Sequence, residues 1–157
     1  MKKLFFLLLF VPMLGVAQLA GFSGKWSLNT KKTEFKQVPE YVLAVSLEVK
    51  QKKDMLVAQY KMYDKEGTQH YYEQSMRFDG KMEEVLLYND ERKQVTMRQG
   101  SNESSFLLSV RVIDAGNPAG RTYTETWSLE DGGKTLVVDR VAPLADEYSI
   151  KAYYSKK

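Results

Sequence analysis

The chain has 157 residues, no cysteine, one histidine and a formal net charge of +3. This length suits one domain with a sizeable core and is too short for two ordinary domains. The lack of cysteine excludes disulfides, thiolate metal sites and a lipidated cysteine in this sequence. The net charge is small, and the lysines of the chain are interleaved with acidic residues. Both features argue against a nucleic-acid or anionic-lipid partner.

The N-terminal segment 1–17 has the pattern of a secretory signal peptide. Two lysines precede an apolar run over residues 4–14, and small residues follow it. We expect cleavage before Gln18, which leaves a domain over 18–157. An uncleaved anchor is the alternative, but the apolar run is interrupted by Pro12 and is shorter than the ~20 residues of a spanning helix. The sequence therefore predicts a periplasmic or secreted protein with no transmembrane span after cleavage.

The remainder of the chain alternates apolar with polar residues, and turn residues break the alternation every ~12 to 15 positions. No amphipathic helix is predicted, and the Lys-rich stretch Thr30–Glu40 is typical of a loop with one helical turn. Asp79-Gly80 predicts a type I′ hairpin turn that pairs Phe78 with Lys81. The predicted strands cover 22–28, 41–49, 56–62, 70–78, 85–87, 95–97, 106–112, 123–129, 136–140 and 148–154.

About ten short, twisted strands joined by short turns would curl and close rather than expose two edges. The predicted fold is all-β, a single antiparallel up-and-down β-barrel of about 8 to 10 strands. A two-sheet sandwich is the alternative, because alternation does not distinguish the two architectures. A barrel of this size is filled by its own side chains or holds one small ligand.

Two stretches carry a family resemblance. Gly24-Lys25-Trp26 is similar to the Gly-x-Trp signature of lipocalins, and Glu125-Thr126-Trp127-Ser128-Leu129 with the following Asp131-Gly132-Gly133 turn resembles small exported bacterial lipocalin-like proteins. The resemblance implies a lipocalin-like (calycin-type) barrel and small-molecule binding by analogy. It also implies that Arg140 is the basic residue that packs over Trp26.

His70 is the only histidine, so a multi-histidine metal site is excluded and a Ser-His-Asp triad would have to use it. Its predicted position is inward, beside Tyr72 and Gln74. A hydrogen-bonded structural role and a ligand contact are both consistent with this position. No nucleophile motif accompanies it, so we expect no enzymatic activity, no cofactor and no metal.

Glu125 and Arg140 are charged residues at positions where the alternation calls for apolar ones. If Leu129 faces Leu136 across the last hairpin, Glu125 faces Arg140, and the two side chains form an ion pair. This pair has two interpretations: a structural contact near a barrel end, or a polar anchor for a ligand head group.

The chain has 10 tyrosines, and several fall on inward faces together with methionines. Tyrosine offers apolar area with a polar edge, and methionine adapts its shape, so such a lining suits an amphipathic ligand and equally suits a filled core. The predicted ligand-binding residues are Tyr60, His70, Tyr72, Gln74, Met76, Phe106, Tyr123, Glu125 and Arg140.

Two functions are consistent with these patterns. The first is an exported binding protein for a small apolar or amphipathic ligand held in the barrel. The alternative is an envelope or secreted accessory protein with a filled barrel that acts on an unknown protein partner through loops such as Thr30–Glu40 and Ala115–Arg121.

Overall fold

The computed structural model describes residues 19–102, 104–143 and 149–157. Ten antiparallel strands form one nearly closed up-and-down barrel, in which each strand lies beside its neighbour in sequence and β1 pairs with β10. The predicted all-β class and barrel are confirmed. The strands are β1 Gly24–Leu28, β2 Ser46–Gln51, β3 Met55–Tyr63, β4 Gln69–Arg77, β5 Glu83–Leu86, β6 Arg92–Gln99, β7 Ser105–Asp114, β8 Asn117–Glu130, β9 Thr135–Val141 and β10 Ile150–Lys156.

Helical structure in the described part of the chain is limited to three short 3-10 turns, at Leu19–Phe22, Glu40–Val42 and Asp131–Gly133. None of the described residues belongs to a helix with the length and apolar character that a membrane crossing requires. The second turn replaces the start of the predicted strand over 41–49, so β2 begins only at Ser46. The predicted signal segment and Tyr148 lie outside the described residues.

The barrel is open along one seam, because β4 and β5 are the two ends of the strand order and share no hydrogen-bonded ladder. The predicted pairing of Phe78 with Lys81 is therefore wrong. A type I′ turn requires positive φ at both central residues, whereas of Asp79 and Gly80 only Gly80 has it, at 72°. The Asp79 carboxylate instead accepts a hydrogen bond from the Lys81 backbone N–H and two from Arg77, which holds the chain in a wider turn.

One end of the barrel is closed by aromatic packing. The first 3-10 turn places Phe22 across the strand ends, where its ring centroid lies 4.8 Å from that of Phe106, and Phe106 lies 5.3 Å from Trp127. The Trp26 indole is fully buried and donates a hydrogen bond to the Phe22 carbonyl oxygen at 2.9 Å. Burial of rings of this size supplies much of the apolar stabilisation of a small domain.

The basic residue over Trp26 is Lys156, and the expectation that Arg140 fills this role is wrong. The Lys156 ammonium lies 5.0 Å from the Trp26 ring centroid, because the two residues are register partners on β10 and β1. Arg140 is near the opposite end of β9, where it contacts Glu125 and Tyr123. Gly24 permits the Lys156 placement, because a Cβ at Gly24 would lie 2.9 Å from Lys156 Cε.

The hairpin of β8 and β9 has the predicted register. Leu129 pairs with Leu136, Trp127 with Val138, and Glu125 with Arg140. The connection is the 3-10 turn Asp131–Gly133, whose three residues all have positive φ. Alternation along β8 and β9 is thus uninterrupted, and it carries Glu125 and Arg140 into the barrel interior.

Candidate functional site

A cavity of about 510 Å³ opens at one end of the barrel, opposite the end that is closed by the packing of Phe22, Phe106 and Trp127. Its outer wall comes from the loop between β1 and β2, through Pro39, Tyr41 and Val42, and from the turn after β5, through Tyr88. Its inner wall is built by strand residues that point inward: Met62, Tyr72, Lys93, Tyr123 and Arg140.

The inward residues of four strands change in character along the barrel axis, as the strand register shows. From the mouth inward, β4 presents His70, Tyr72, Gln74 and then Met76, and β6 presents Lys93, Val95 and Met97. The strands β8 and β9 follow the same order, from Tyr123, Glu125 and Arg140 to Trp127, Val138 and Leu136. The sequence thus builds a polar layer beneath the cavity and an apolar core beneath that layer.

The ion pair of the polar layer joins two strands. Glu125 Oε1 accepts hydrogen bonds from Arg140 Nε at 3.0 Å and Nη2 at 2.8 Å, and its Oε2 accepts one from the Trp127 indole N–H at 3.1 Å. Burial opposes ionisation, but the positive charges of Arg140 and Lys93 and these hydrogen bonds outweigh it and keep the pKa of Glu125 below its usual value. The predicted Glu125–Arg140 contact is confirmed, and Glu125 is an ionised carboxylate fully used by its donors.

Aromatic rings and a buried lysine form the other side of this layer. The rings of Tyr60 and Tyr72 stack at 4.4 Å with an interplanar angle of 6°. Lys93 is only 4% exposed, its ammonium donates to the Tyr72 hydroxyl at 3.3 Å, and it lies 4.8 Å from the Tyr60 ring centroid. The Arg140 guanidinium covers the Tyr123 ring at 4.6 Å. Both contacts are cation–π interactions, which partly replace the lost hydration of the cations.

Burial also acts on the phenols of this layer. It raises the pKa of Tyr60, Tyr72, Tyr123 and Tyr154, so that all four are neutral at physiological pH. Two buried polar atoms of the layer have no hydrogen-bond partner among the described residues: the Tyr60 hydroxyl and Gln74 Oε1. Buried polar groups in folded proteins are normally satisfied, so these two atoms indicate a place for water or a ligand atom.

His70 lies at the rim of the barrel. Its Nε2 is 2.8 Å from Asp64 Oδ2, and its ring stacks on Tyr88 at 3.9 Å. The hydrogen bond to His70 lowers the pKa of Asp64. Because His70 is on β4 and Tyr88 follows β5, this stack spans the open seam beside the cavity mouth.

The structure separates the predicted ligand-binding residues into groups. Tyr72, Tyr123 and Arg140 line the cavity, while Tyr60, Gln74 and Glu125 form the layer next to it. His70 lies at the rim, and Met76 and Phe106 are fully buried in the apolar core, away from the cavity. A ligand contact by any of the nine remains a prediction.

Sequence reasoning missed Lys93 and the loop residue Val42. Continuing the alternation of Val95 and Met97 back by one step places Lys93 on the inward face, so a signal for it was present. Tyr41 was predicted on the inward face of a strand, whereas it lines the cavity from a 3-10 turn. No equivalent signal exists for Val42, because its contribution to the wall depends on how the loop folds over the barrel mouth. Among the described residues, no group of three or more acidic or histidine side chains is arranged to hold a metal ion.

A second depression, of about 320 Å³, lies on the outer surface of β6, β7 and β8, where it is lined by outward residues such as Gln94, Arg111 and Thr122. It holds none of the buried charges or unpartnered polar atoms described above. The interior cavity is therefore the stronger candidate for a binding site.

The described residues form a nearly closed, ten-stranded antiparallel barrel with an interior cavity. Among solved structures the chain is similar to the fluorescent protein UnaG, with a TM-score of 0.58, 11% identity, and coverage of 88% of this chain and 99% of UnaG. A single-residue mutant of UnaG gives a TM-score of 0.56 at 12% identity, with coverage of 88% and 97%. Structural similarity at 11% to 12% identity shows only that the folds are alike, and it does not assign the chain to the lipocalins. No family model matches the chain, and no curated protein sequence matches it.

Proposed function

We propose that this protein binds one small, largely apolar molecule with a polar end in the cavity at the open end of the barrel. The observation that carries the proposal is the pairing of aromatic walls with a polar layer whose Tyr60 hydroxyl and Gln74 amide oxygen have no partner among the described residues. The cavity volume of about 510 Å³ is within the ~300 to 1,000 Å³ range typical of small-molecule sites. We propose a binding role without a chemical reaction.

Titration with the neutral fluorescent dye Nile red tests this function. Met62→Trp places a large ring in the cavity wall, and overpacking of this kind should weaken dye binding about 10-fold or more. Leu86→Trp is the matched control, because Leu86 is exposed and belongs to the lining of neither the interior cavity nor the outer depression. Equal binding by the two variants would place the dye elsewhere and contradict the proposal.

Native mass spectrometry of protein purified from its own cells provides a second test. A mass above that of the polypeptide by the mass of one small molecule supports the binding function. If no mass is retained and Nile red does not bind, the accessory-protein function becomes the better hypothesis, with the 30–40 loop and the β7–β8 turn as its contact surfaces.

We further propose that residues 1–17 are removed on export, which makes the mature protein periplasmic or secreted. The support is the order of charged, apolar and small residues in this segment. Intact-mass measurement of the protein recovered from cells that make the full chain should give the mass of a polypeptide that begins at Gln18. Ala17→Leu replaces the small residue at the cleavage position and should retain the segment. A wild-type mass that includes residues 1–17 would contradict export by cleavage.

A further inference from the structure

The polar layer has one cation with no close carboxylate among the described residues. Three charged side chains of the described chain lie in or beside this layer: Lys93 and Glu125 are buried, and Arg140 is half-buried. Glu125 and Arg140 neutralise each other through two hydrogen bonds. Lys93 donates to the Tyr72 hydroxyl, and no carboxylate in the described ranges lies within ion-pair distance of its ammonium. Within this part of the chain, the Lys93 ammonium therefore has no carboxylate in direct contact, although its charge acts on Glu125 from a longer distance.

An uncompensated ammonium in the interior is costly, because it loses hydration that only another charge or strong hydrogen bonds replace. The faces of Tyr60 and Tyr72 lie 4.8 and 5.3 Å from Lys93 Nζ and reduce this cost. Neutral rings and one neutral hydroxyl do not neutralise the full positive charge of Lys93. An anion bound beside Lys93 would neutralise it.

The anion position is inside the cavity, because Lys93 lines it. Nearer the mouth, the Arg121 guanidinium is shared by two carboxylates, Glu91 at 2.6 Å and Asp114 at 3.4 Å, and neither carboxylate lies within ion-pair distance of Lys93. Tyr72 accepts the hydrogen bond of Lys93 and keeps its own O–H to donate. Arg140 lines the same cavity, and its guanidinium has more donors than the two that Glu125 uses.

The size of the ligand is limited by the filled end of the barrel. Beyond the polar layer the interior is occupied by Met76, Phe106 and Trp127, each no more than 1% exposed, so a long acyl chain has no channel into the core. The cavity walls are rich in rings, which favour a flat apolar group. A single unpaired cation matches a single negative charge better than a dianion.

We propose that the ligand is a compact organic monoanion, a carboxylate joined to a flat or aromatic group, whose carboxylate is bound by Lys93 and the Tyr72 hydroxyl. This inference rests on the binding function proposed above. Hydrogen bonds to charged groups are worth about 1.5 to 3 kcal/mol, so an acid should bind about 10- to 100-fold more tightly than its neutral isostere.

The test compares 1-naphthylacetate with 1-naphthylacetamide, which differ in charge and have nearly the same shape, by calorimetric titration. Wild-type protein should bind the acid more tightly by the stated factor. Lys93→Met replaces the ammonium by an apolar group of similar length and should remove the preference while the amide still binds. Lys50→Met is the matched control, because Lys50 is exposed on β2 and its loss changes the net charge equally.

The possible failures are distinguishable. Equal affinity of wild-type protein for acid and amide would overturn the anion site while leaving the binding function intact, and this comparison needs no variant. An acid preference that survives Lys93→Met, or that is lost in Lys50→Met, would overturn the role of Lys93. Binding of neither compound, together with no binding of Nile red, would overturn the proposed function itself. Tighter binding of a long-chain fatty acid than of 1-naphthylacetate would contradict the compact cavity.

Discussion

At the scale of single residues, Trp26 and Lys93 are both buried but differ in how their polar atoms are satisfied. Trp26 is buried on all sides and its one polar atom is satisfied by the Phe22 carbonyl oxygen. Lys93 is nearly as buried, but no carboxylate of the described chain lies within ion-pair distance of its ammonium. The first residue stabilises the fold, whereas the second is the basis of the anion site proposed above.

We expect Trp26→Ala to lower the free energy of unfolding by about 3 to 5 kcal/mol, because it leaves a large cavity in the closed end of the barrel. Trp26→Phe should cost less, since it keeps a ring and loses only the hydrogen bond to Phe22. Denaturant unfolding measures both. A change below about 1 kcal/mol for the alanine variant would contradict the burial of Trp26.

We expect Lys93→Met to raise the free energy of unfolding of the ligand-free protein by about 1 to 3 kcal/mol, because it removes an uncompensated buried charge. Thermal and denaturant unfolding check this. Lys50→Met, on the exposed face of β2, should change stability by less than about 0.5 kcal/mol. A destabilised Lys93→Met variant would mean that the ammonium is better solvated than its 4% exposure indicates.

At the scale of strands, the hairpin of β8 and β9 connects the polar layer to the core. The Glu125–Arg140 pair spans this hairpin, and breaking a buried pair by removing one partner costs about 3 to 5 kcal/mol. We expect Glu125→Gln and Arg140→Met each to destabilise by an amount in this range, and the double variant to cost less than their sum. A double-mutant cycle by denaturant unfolding measures the coupling. Additive effects would show that the two side chains do not interact in solution.

The seam between β4 and β5 is the weakest part of the strand order. Amides of β4 that point toward β3 are in a ladder, but those that point toward β5 are not. We expect hydrogen-exchange protection to alternate from one residue to the next along both β4 and β5, because each strand is paired on one side only. The control is β7, which is paired on both sides and should be protected evenly. Even protection along β4 would mean that the seam is closed.

Local patterns and long-range packing account for what the sequence did and did not predict. Alternation identified the inward faces, and the register of one clear hairpin was enough to pair Glu125 with Arg140. The Asp79-Gly80 prediction was wrong because β4 and β5 border the open seam and share no ladder, so no tight hairpin joins them. The lysine over Trp26 was misassigned because barrel closure, not sequence distance, brings Lys156 to β1. Closure and loop packing have no local signature.

At the scale of the whole molecule, the barrel is divided into a filled half and an open half. The filled half is held by aromatic and aliphatic packing around Phe22, Phe106 and Trp127. The open half contains the cavity and the groups whose ionisation is shifted by burial. The packing that stabilises the fold and the proposed binding site therefore lie at different ends of the same strands, so an unfavourable charge at the open end does not disrupt the core.

The buried tyrosines link this division to pH. Burial raises the pKa of Tyr60, Tyr72, Tyr123 and Tyr154 above the ordinary phenol value of about 10, which the unfolded chain retains. A group with a raised folded-state pKa contributes stability that is fully present below the unfolded pKa and is lost as the pH rises above it. We therefore expect the free energy of unfolding to be unaffected by these groups below about pH 9 and to fall steeply above about pH 10.

Absorbance of tyrosinate in the near ultraviolet follows the same groups directly. These four tyrosines, whose pKa is raised by burial, should ionise only together with loss of the β-sheet circular dichroism signal. Tyr72→Phe removes one of these four groups, and Tyr71→Phe, at an exposed ring, is the control. A single reversible transition of all tyrosines near about pH 10, with the fold intact, would contradict a buried phenol layer, because phenols that ionise freely must be in contact with water.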